Sequence, residues 1–282
     1  MTVLELLERT TKYFADHGVA SPRLTIELML AEMLKKTRMQ LYLEFDKEVP
    51  EAVLDQLRPL VKRRADGEPL EYLLGITTFA GHRISVTPDV LIPRPETEIL
   101  LEEAIKRIDP NGAPILDVGT GSGILPIALA KKFPELEIIA VDISPAALAV
   151  AKKNADGLGK IRFLESDLME NPALPERFQM ITANLPYIPT GALDTLQREV
   201  RHEPRLALDG GKDGLDLVRK LIIQSAGRTP CLLLELGDGQ APETKTLCLQ
   251  AGYALIGILP DFTQRERILV AEQADKQEDM KA

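Results

Sequence analysis

The chain opens on a helical rhythm. Val3, Leu6, Leu7, Thr10 and Phe14 recur at three- and four-residue spacing, and His17-Gly18 ends the helix they define. Ser21-Pro22 then reads as an N-cap followed by proline at the first helical position. The helix it opens carries Ile26, Leu28, Leu30 and Leu34 to about Lys36. A short helix is predicted over residues 38–43 and a longer one over 50–65. Residues 1–74 therefore form a small all-helical module that carries no catalytic signature.

Gly67-Glu68-Pro69-Leu70 punctuates the chain, and residues 77–87 read as a β-hairpin turning near Gly81. In Leu91-Ile92-Pro93-Arg94-Pro95-Glu96-Thr97-Glu98 the two prolines push their preceding residues out of the helical region, so the segment is extended until Glu96 or Thr97 starts a helix. From Pro114 the period switches. Short apolar runs over 115–118, 138–142, 161–165, 180–184 and 232–237 alternate with helical segments. That alternation demands crossover connections, hence a parallel, doubly wound α/β sheet. Runs near 253–259 and 268–271 suit a closing hairpin, and the polar residues 275–282 read as a frayed end. The expected organisation is a helical domain over 1–74, a β-hairpin linker over 75–92 and an α/β domain over 93–282.

Candidate chemistry starts with Asp117-Val118-Gly119-Thr120-Gly121-Ser122-Gly123, which follows one strand and opens a helix at about Ile124. Glycines there let backbone approach a ligand closely. The next strand ends in Asp142, 23 residues after Gly119, near the distance at which a carboxylate meets ribose hydroxyls. A dinucleotide site would use GxGxxG with pyrophosphate at the helix start. This loop is GxGxG and has Asp117 ahead of it, which suits an ammonium and a sulfonium and repels phosphate. S-Adenosylmethionine fits better than NAD. Asp167, just past the third strand, has two compatible readings: acceptor for the adenine amino group, with Leu168 covering a ring face, or helix N-cap.

Asn184-Leu185-Pro186-Tyr187 ends the fourth strand, at the carboxyl edge where open α/β sheets bind ligands. The asparagine side-chain oxygen and the carbonyl of Leu185 can both accept hydrogens from one planar –NH2 group, and Tyr187 can stack on it. An amide nitrogen is a poor nucleophile because its lone pair is delocalised. Neutral acceptors that hold both N–H bonds direct that lone pair and stabilise positive charge developing on nitrogen. The pattern points to methyl transfer onto an amide or amino nitrogen.

Composition narrows the acceptor. The chain has 282 residues and a net charge of −9, a poor match to a polyanionic substrate, so a protein or small molecule is favoured and no direct nucleic-acid binding is expected. The two cysteines, Cys231 and Cys248, lack CxxC spacing and read as packing residues in a reducing, cytoplasmic setting. The first twenty residues alternate charge and apolarity, unlike a signal peptide, and no run approaches the roughly 18 to 20 apolar residues that span a bilayer. His17, His82 and His202 are scattered, so no metal is expected.

With these residues in hand, the chain closely resembles the release factor glutamine methyltransferases (the PrmC/HemK family) nearly end to end. The resemblance is carried by Ser21-Pro22-Arg23-Leu24, residues 67–75, residues 91–98, the Asp117–Gly123 loop, Val141-Asp142-Ile143-Ser144-Pro145, Glu203-Pro204-Arg205-Leu206-Ala207-Leu208 and residues 210–216. It implies a class I S-adenosylmethionine-dependent methyltransferase domain with a seven-stranded, mostly parallel sheet. It implies cofactor contacts from Asp117, Gly119, Thr120, Gly121, Ser122, Gly123, Asp142, Asp167, Leu168 and Asn184. Acceptor contacts fall to Asn184, Leu185, Pro186, Tyr187 and Arg94. The implied reaction is N5-methylation of the glutamine in the Gly-Gly-Gln motif of peptide chain release factors, by a monomer whose N-terminal helices help dock that substrate.

Three positions depart from the family pattern. Leu185 replaces a proline, which leaves the carbonyl in place but gives a less rigid turn. Gln264 stands where glycine is usual, and Thr25 where an acidic residue is common. Asn-Leu-Pro-Tyr taken alone also looks like the motif of ribosomal RNA adenine dimethyltransferases. The alternatives are therefore an adenine or guanine N-methyltransferase and, from another class, a binding module that retains the fold without turnover.

Overall fold

The computed structural model describes residues 1–274; the polar end at 275–282 lies outside the described residues. The described residues divide into two compact units, one of residues 1–76 with 197–202, the other of residues 77–196 with 203–274.

The first unit is helical: α1 (Val3–Asp16), α2 (Pro22–Leu34), α3 (Arg38–Tyr42), α4 (Glu51–Ala65) and α5 (Leu70–Leu74). A capping box starts α1, with Thr2 accepting from the Glu5 amide and the Glu5 carboxylate accepting from the Thr2 amide. Leu7, Phe14, Ile26, Met29, Leu30 and Leu41 are fully buried in its core. Two expectations change here. Leu28 is exposed and the inward positions of α2 are Ile26, Met29 and Leu30. Ser21 does precede Pro22 at the helix start, but at φ 47° its side chain makes no capping hydrogen bond. The helix α5 starts at Leu70, where the punctuating Gly67–Leu70 stretch ends, and has no counterpart among the helices expected from the sequence, since five residues are too few to show a period. Thr25 is buried and its hydroxyl donates to the Ala20 carbonyl at 3.2 Å, a local tie at the start of α2.

The second unit begins with the hairpin β1 (Ile76–Phe79) and β2 (His82–Ser85), which turns at Ala80-Gly81. Helix α6 (Thr97–Arg107) follows the extended proline segment. Then strands β3 (Ile115–Val118), β4 (Ile138–Asp142), β5 (Ile161–Glu165), β6 (Met180–Ala183) and β7 (Cys231–Glu235) alternate with helices. Those helices are α7 (Ile124–Lys132), α8 (Pro145–Asn154), α9 (Asp216–Ser225) and α10 (Ala241–Gln250). The hairpin β8 (Leu255–Pro260) and β9 (Glu266–Glu272) completes a seven-stranded sheet in the order β5-β4-β3-β6-β7-β9-β8. The first five strands are parallel, and β9 pairs antiparallel with both β7 and β8. Strands β3, β6 and β7 are buried along their whole length because helices cover both faces, so their sequences are nearly unbroken apolar runs.

The closing hairpin folds back so that β9, not β8, meets β7. Gln264 sits in its turn at φ 67°, the left-handed conformation glycine adopts without strain. The turn is held by the Asp261 carboxylate, which accepts from the amides of Thr263 at 2.7 Å and Arg265 at 3.1 Å. Both cysteines are buried and free, and burial pushes each thiol up to about 12, so neither is a nucleophile at neutral pH. Among the described residues, no helix is long and apolar enough to cross a membrane.

Candidate active site

After β3 the chain runs outward through β4 and β5, then returns to lay β6 on the other side of β3. The strand order reverses there, and a crevice opens beyond the carboxyl ends of β3 and β6. The two loops that leave those ends are the glycine loop and the Asn184 tetrapeptide. They touch: a Cβ at Gly119 would lie 3.0 Å from Leu185 Cδ2.

Gly119, Gly121 and Gly123 all have positive φ, at 72°, 55° and 81°. The loop is pinned to β4 by the Gly119 and Thr120 amides, which donate to the Val141 carbonyl at 2.9 and 3.0 Å. The Gly121 amide donates to Asp142 Oδ2 at 2.8 Å and the Ser144 amide to Oδ1 at 2.9 Å, so Asp142 is fixed by backbone on both oxygens. Burial raises its pKa, and those amides act against the rise. Ser144 caps α8 by accepting from Ala147, with Pro145 at its first position.

Asp117 is 2% exposed inside the sheet. Burial pushes its carboxyl up to about 6, although the Thr182 hydroxyl donates to it at 2.8 Å. A buried carboxylate that has hydroxyls and a second carboxylate for neighbours is a ready partner for a cation.

One cavity is lined by Asp117, Gly119, Thr120, Gly121, Ser122, Asp142, Asp167, Leu168, Asn184, Leu185, Pro186 and Arg94, together with apolar side chains such as Ile143, Leu125 and Leu206. It thus gathers all but two of the residues singled out in the sequence. Gly123 lies behind the loop, where a Cβ would come within 3.1 Å of Ala151 Cβ; it lets α7 and α8 pack closely. Tyr187 lines a second, neighbouring cleft with Ile188, Pro189, Gly237 and Asp238. Its carbonyl accepts from Gln240 Nε2 at 2.9 Å, and burial pushes its hydroxyl up to about 12.

Asp167 caps no helix, because none starts there; its carboxylate meets Lys220 Nζ at 2.7 Å. Leu168 is buried at φ 49°, a conformation that costs a residue with a Cβ roughly 1–2 kcal/mol. Strain of this kind concentrates at ligand clamps. Arg94 lines the cavity but is also ion-paired to Glu203. Glu203, 6% exposed, accepts the Ile92 amide at 3.0 Å through its other oxygen. The extended segment 91–94 is therefore held against the residues that precede Pro204.

Two participants escaped the sequence reading. The Asn184 Nδ2 donates to Thr97 Oγ1 at 3.2 Å, and the Thr97 hydroxyl donates to Glu235 Oε2 at 2.7 Å. Thr97 and Glu235 are both 1% exposed. In the sequence Thr97 reads only as a helix start and Glu235 falls unremarked within the run 232–237; the two are 138 positions apart.

A parallel sheet with this strand order, a glycine loop after β3, a carboxylate at the end of β4 and a neutral acceptor motif after β6 together define a class I S-adenosylmethionine-dependent methyltransferase. Residues 115–203 match the family model described as a methyltransferase domain, and residues 5–75 that of the PrmC N-terminal domain. A release factor glutamine methyltransferase of Geobacter sulfurreducens is 44% identical over 258 residues, covering 89% of this chain and 90% of the relative. One of Moorella thermoacetica is 39% identical over 284 residues, covering 98% and 100%. The chain belongs to the release factor glutamine methyltransferase family. Among solved structures, the hMettl16 catalytic domain bound to a MAT2A 3′UTR hairpin superposes with a TM-score of 0.56 over 78% of this chain and 93% of that one. At 15% identity that likeness is one of fold alone.

Proposed function

We propose that this protein methylates the side-chain nitrogen of the glutamine in the Gly-Gly-Gln motif of peptide chain release factors, with S-adenosylmethionine as methyl donor. The observation that carries the reading is Asn184: its amide nitrogen is engaged by Thr97 at the wall of the cavity that Asp117 and Asp142 also line. Its Oδ1 and the Leu185 carbonyl are the neutral acceptors for an incoming –NH2 group. S-Adenosylmethionine, when bound, supplies an activated methyl on a sulfonium. Asp117 and Asp142 would hold its ammonium and ribose, Asp167 and Leu168 its adenine. The protein's remaining work is to orient the acceptor nitrogen and exclude water. Asn184 and the carbonyl at 185 fix the lone-pair direction. Tyr187, which follows the turn at Pro186 and lines the adjoining cleft, is the aromatic group available to stack on the acceptor amide.

The test is a competition between acceptors: labelled cofactor with a purified release factor in one arm and RNA in the other. Label on the release factor alone is expected. Label on RNA with none on protein would favour the adenine or guanine N-methyltransferase reading, and cofactor binding without turnover in either arm would favour a binding module.

Leu185 is 3% exposed in the core and packs on Gly119, so its side chain is a packing element while its carbonyl is the functional part. Leu185→Pro is therefore expected to retain turnover but to lose roughly 2 kcal/mol of stability, several degrees in Tm. Steady-state kinetics and a thermal melt check both halves. A turnover loss beyond about tenfold would show that the turn depends on leucine.

A further inference from the structure

We propose that Glu235, acting through the Thr97 hydroxyl, is the positioning group that decides which end of the Asn184 carboxamide faces the acceptor. The inference rests on the acceptor role of Asn184 given above.

A carboxamide has one accepting and two donating atoms, and a half-turn about its last bond exchanges them with little change in shape. Only the accepting oxygen can hold an –NH2 group; the reversed amide would present N–H to N–H. Something must therefore bias the orientation. The Thr97 hydroxyl has a single proton. An ionised Glu235 can only accept, so at 2.7 Å it takes that proton, and Thr97 is left as an acceptor at its other side. The group 3.2 Å away must then be a donor, which selects Nδ2 of Asn184 and turns Oδ1 the other way. The chain Glu235–Thr97–Asn184 is thus polarised from its buried end, where hydrogen bonds of this kind are least diluted by water. If Glu235 were protonated it would donate to Thr97, the hydroxyl proton would be free to point at Asn184, and the reversed amide would become compatible.

Glu235 is well placed to hold this polarity without becoming a general base, since it is buried and its neighbour is a hydroxyl. The charged and titratable groups around it are Thr97's own neighbours Arg94 and Glu96, Arg267 from β9, and the Tyr187 phenol. The arginines favour its charge and Glu96 opposes it. Burial dominates and pushes its carboxyl up to about 7.

The experiment measures kcat and release-factor KM at saturating cofactor from pH 6 to 9 for the wild type, Thr97→Val, Thr97→Ser and Glu235→Gln, with cofactor Kd and Tm for each. Wild-type kcat should rise through neutral pH to a plateau. Thr97→Val should lower kcat on the order of ten- to a hundredfold, with cofactor Kd nearly unchanged, because the misoriented amide is felt in the transition state. Thr97→Ser, which keeps the hydroxyl, should recover most of that loss, and Glu235→Gln should abolish the acid limb of the kcat profile. Undiminished kcat in a folded Thr97→Val, or an unchanged acid limb in Glu235→Gln, overturns the proposal; should Thr97→Val fail to fold, the Glu235→Gln profile decides alone. A wild type that leaves glutamine unmodified would instead remove the acceptor role on which the inference rests.

Discussion

Asn184→Ala should lower kcat by at least about two orders of magnitude while leaving cofactor Kd within a few-fold. The side chain leaves the end of β6 beside the tetrapeptide turn, and its nitrogen is spent on Thr97. Its oxygen is the only acceptor the side chain can offer to an incoming amide, and it acts on charge that develops during methyl transfer. Removing a preorganised contact of that kind costs roughly 3 to 4 kcal/mol in the transition state and little in the ground state. The glycine loop and Asp142 are positioned by β3 and β4 without help from Asn184, so cofactor binding should survive. Rapid-mix turnover and calorimetric cofactor titration separate the two. Near-normal kcat would remove Asn184 from the chemistry.

Asp117→Asn should do the reverse, weakening cofactor binding by at least about thirtyfold, the cost of roughly 2 kcal/mol or more for deleting one partner of a buried charged pair. The carboxyl sits at about 6 in the ligand-free protein because burial disfavours its charge. Cofactor binding needs the charged form, so wild-type affinity should fall as pH drops below about 6, and the variant should lose most of that dependence. Stability moves the other way. A carboxyl with a raised folded-state value holds its proton longer in the folded protein than in the unfolded chain. Its contribution is present below about pH 4 and lost as pH rises through about 6, so at neutral pH ionised Asp117 costs roughly 3 kcal/mol. The ligand-free Asp117→Asn protein should therefore melt several degrees higher than wild type while binding cofactor worse. A variant that binds normally, or melts lower, would contradict the role of Asp117 as a strained cation partner.

The regions most legible in the sequence are those where physics leaves the least choice. Strands β3 and β4 begin and end where the apolar runs do, since a central parallel strand must be apolar on both faces and a glycine loop or a terminal carboxylate stops it; β5 also matches its run, although it lies at the sheet's edge and is only half-buried. The glycine loop and the tetrapeptide meet because both follow strands that share the switch point. What lay beyond the sequence depends on pairing across distance. Nothing local says that β9 rather than β8 joins β7, because both hairpin strands have similar patterns. The Arg94–Glu203 and Thr97–Glu235 pairs span 109 and 138 positions, and each member has an ordinary local reading. Asp167 shows the opposite failure: an Asp after a strand resembles a helix cap, yet Lys220 from α9 claims it. Tyr187 lines the cleft beside the cavity, and its phenol feels the charges of Glu235, Arg267, Arg94 and Glu96, surroundings that its place in the motif alone does not give.

The central claim is that Asn184 and the carbonyl at 185 hold the nitrogen of a protein glutamine. Tandem mass spectrometry of a release factor incubated with this protein and S-adenosylmethionine tests it most directly. One methyl on the side-chain nitrogen of the glutamine in Gly-Gly-Gln, absent when Asn184→Ala is used, is the expected result. A methyl on any other residue, or on that glutamine at an undiminished rate with Asn184→Ala, would contradict it.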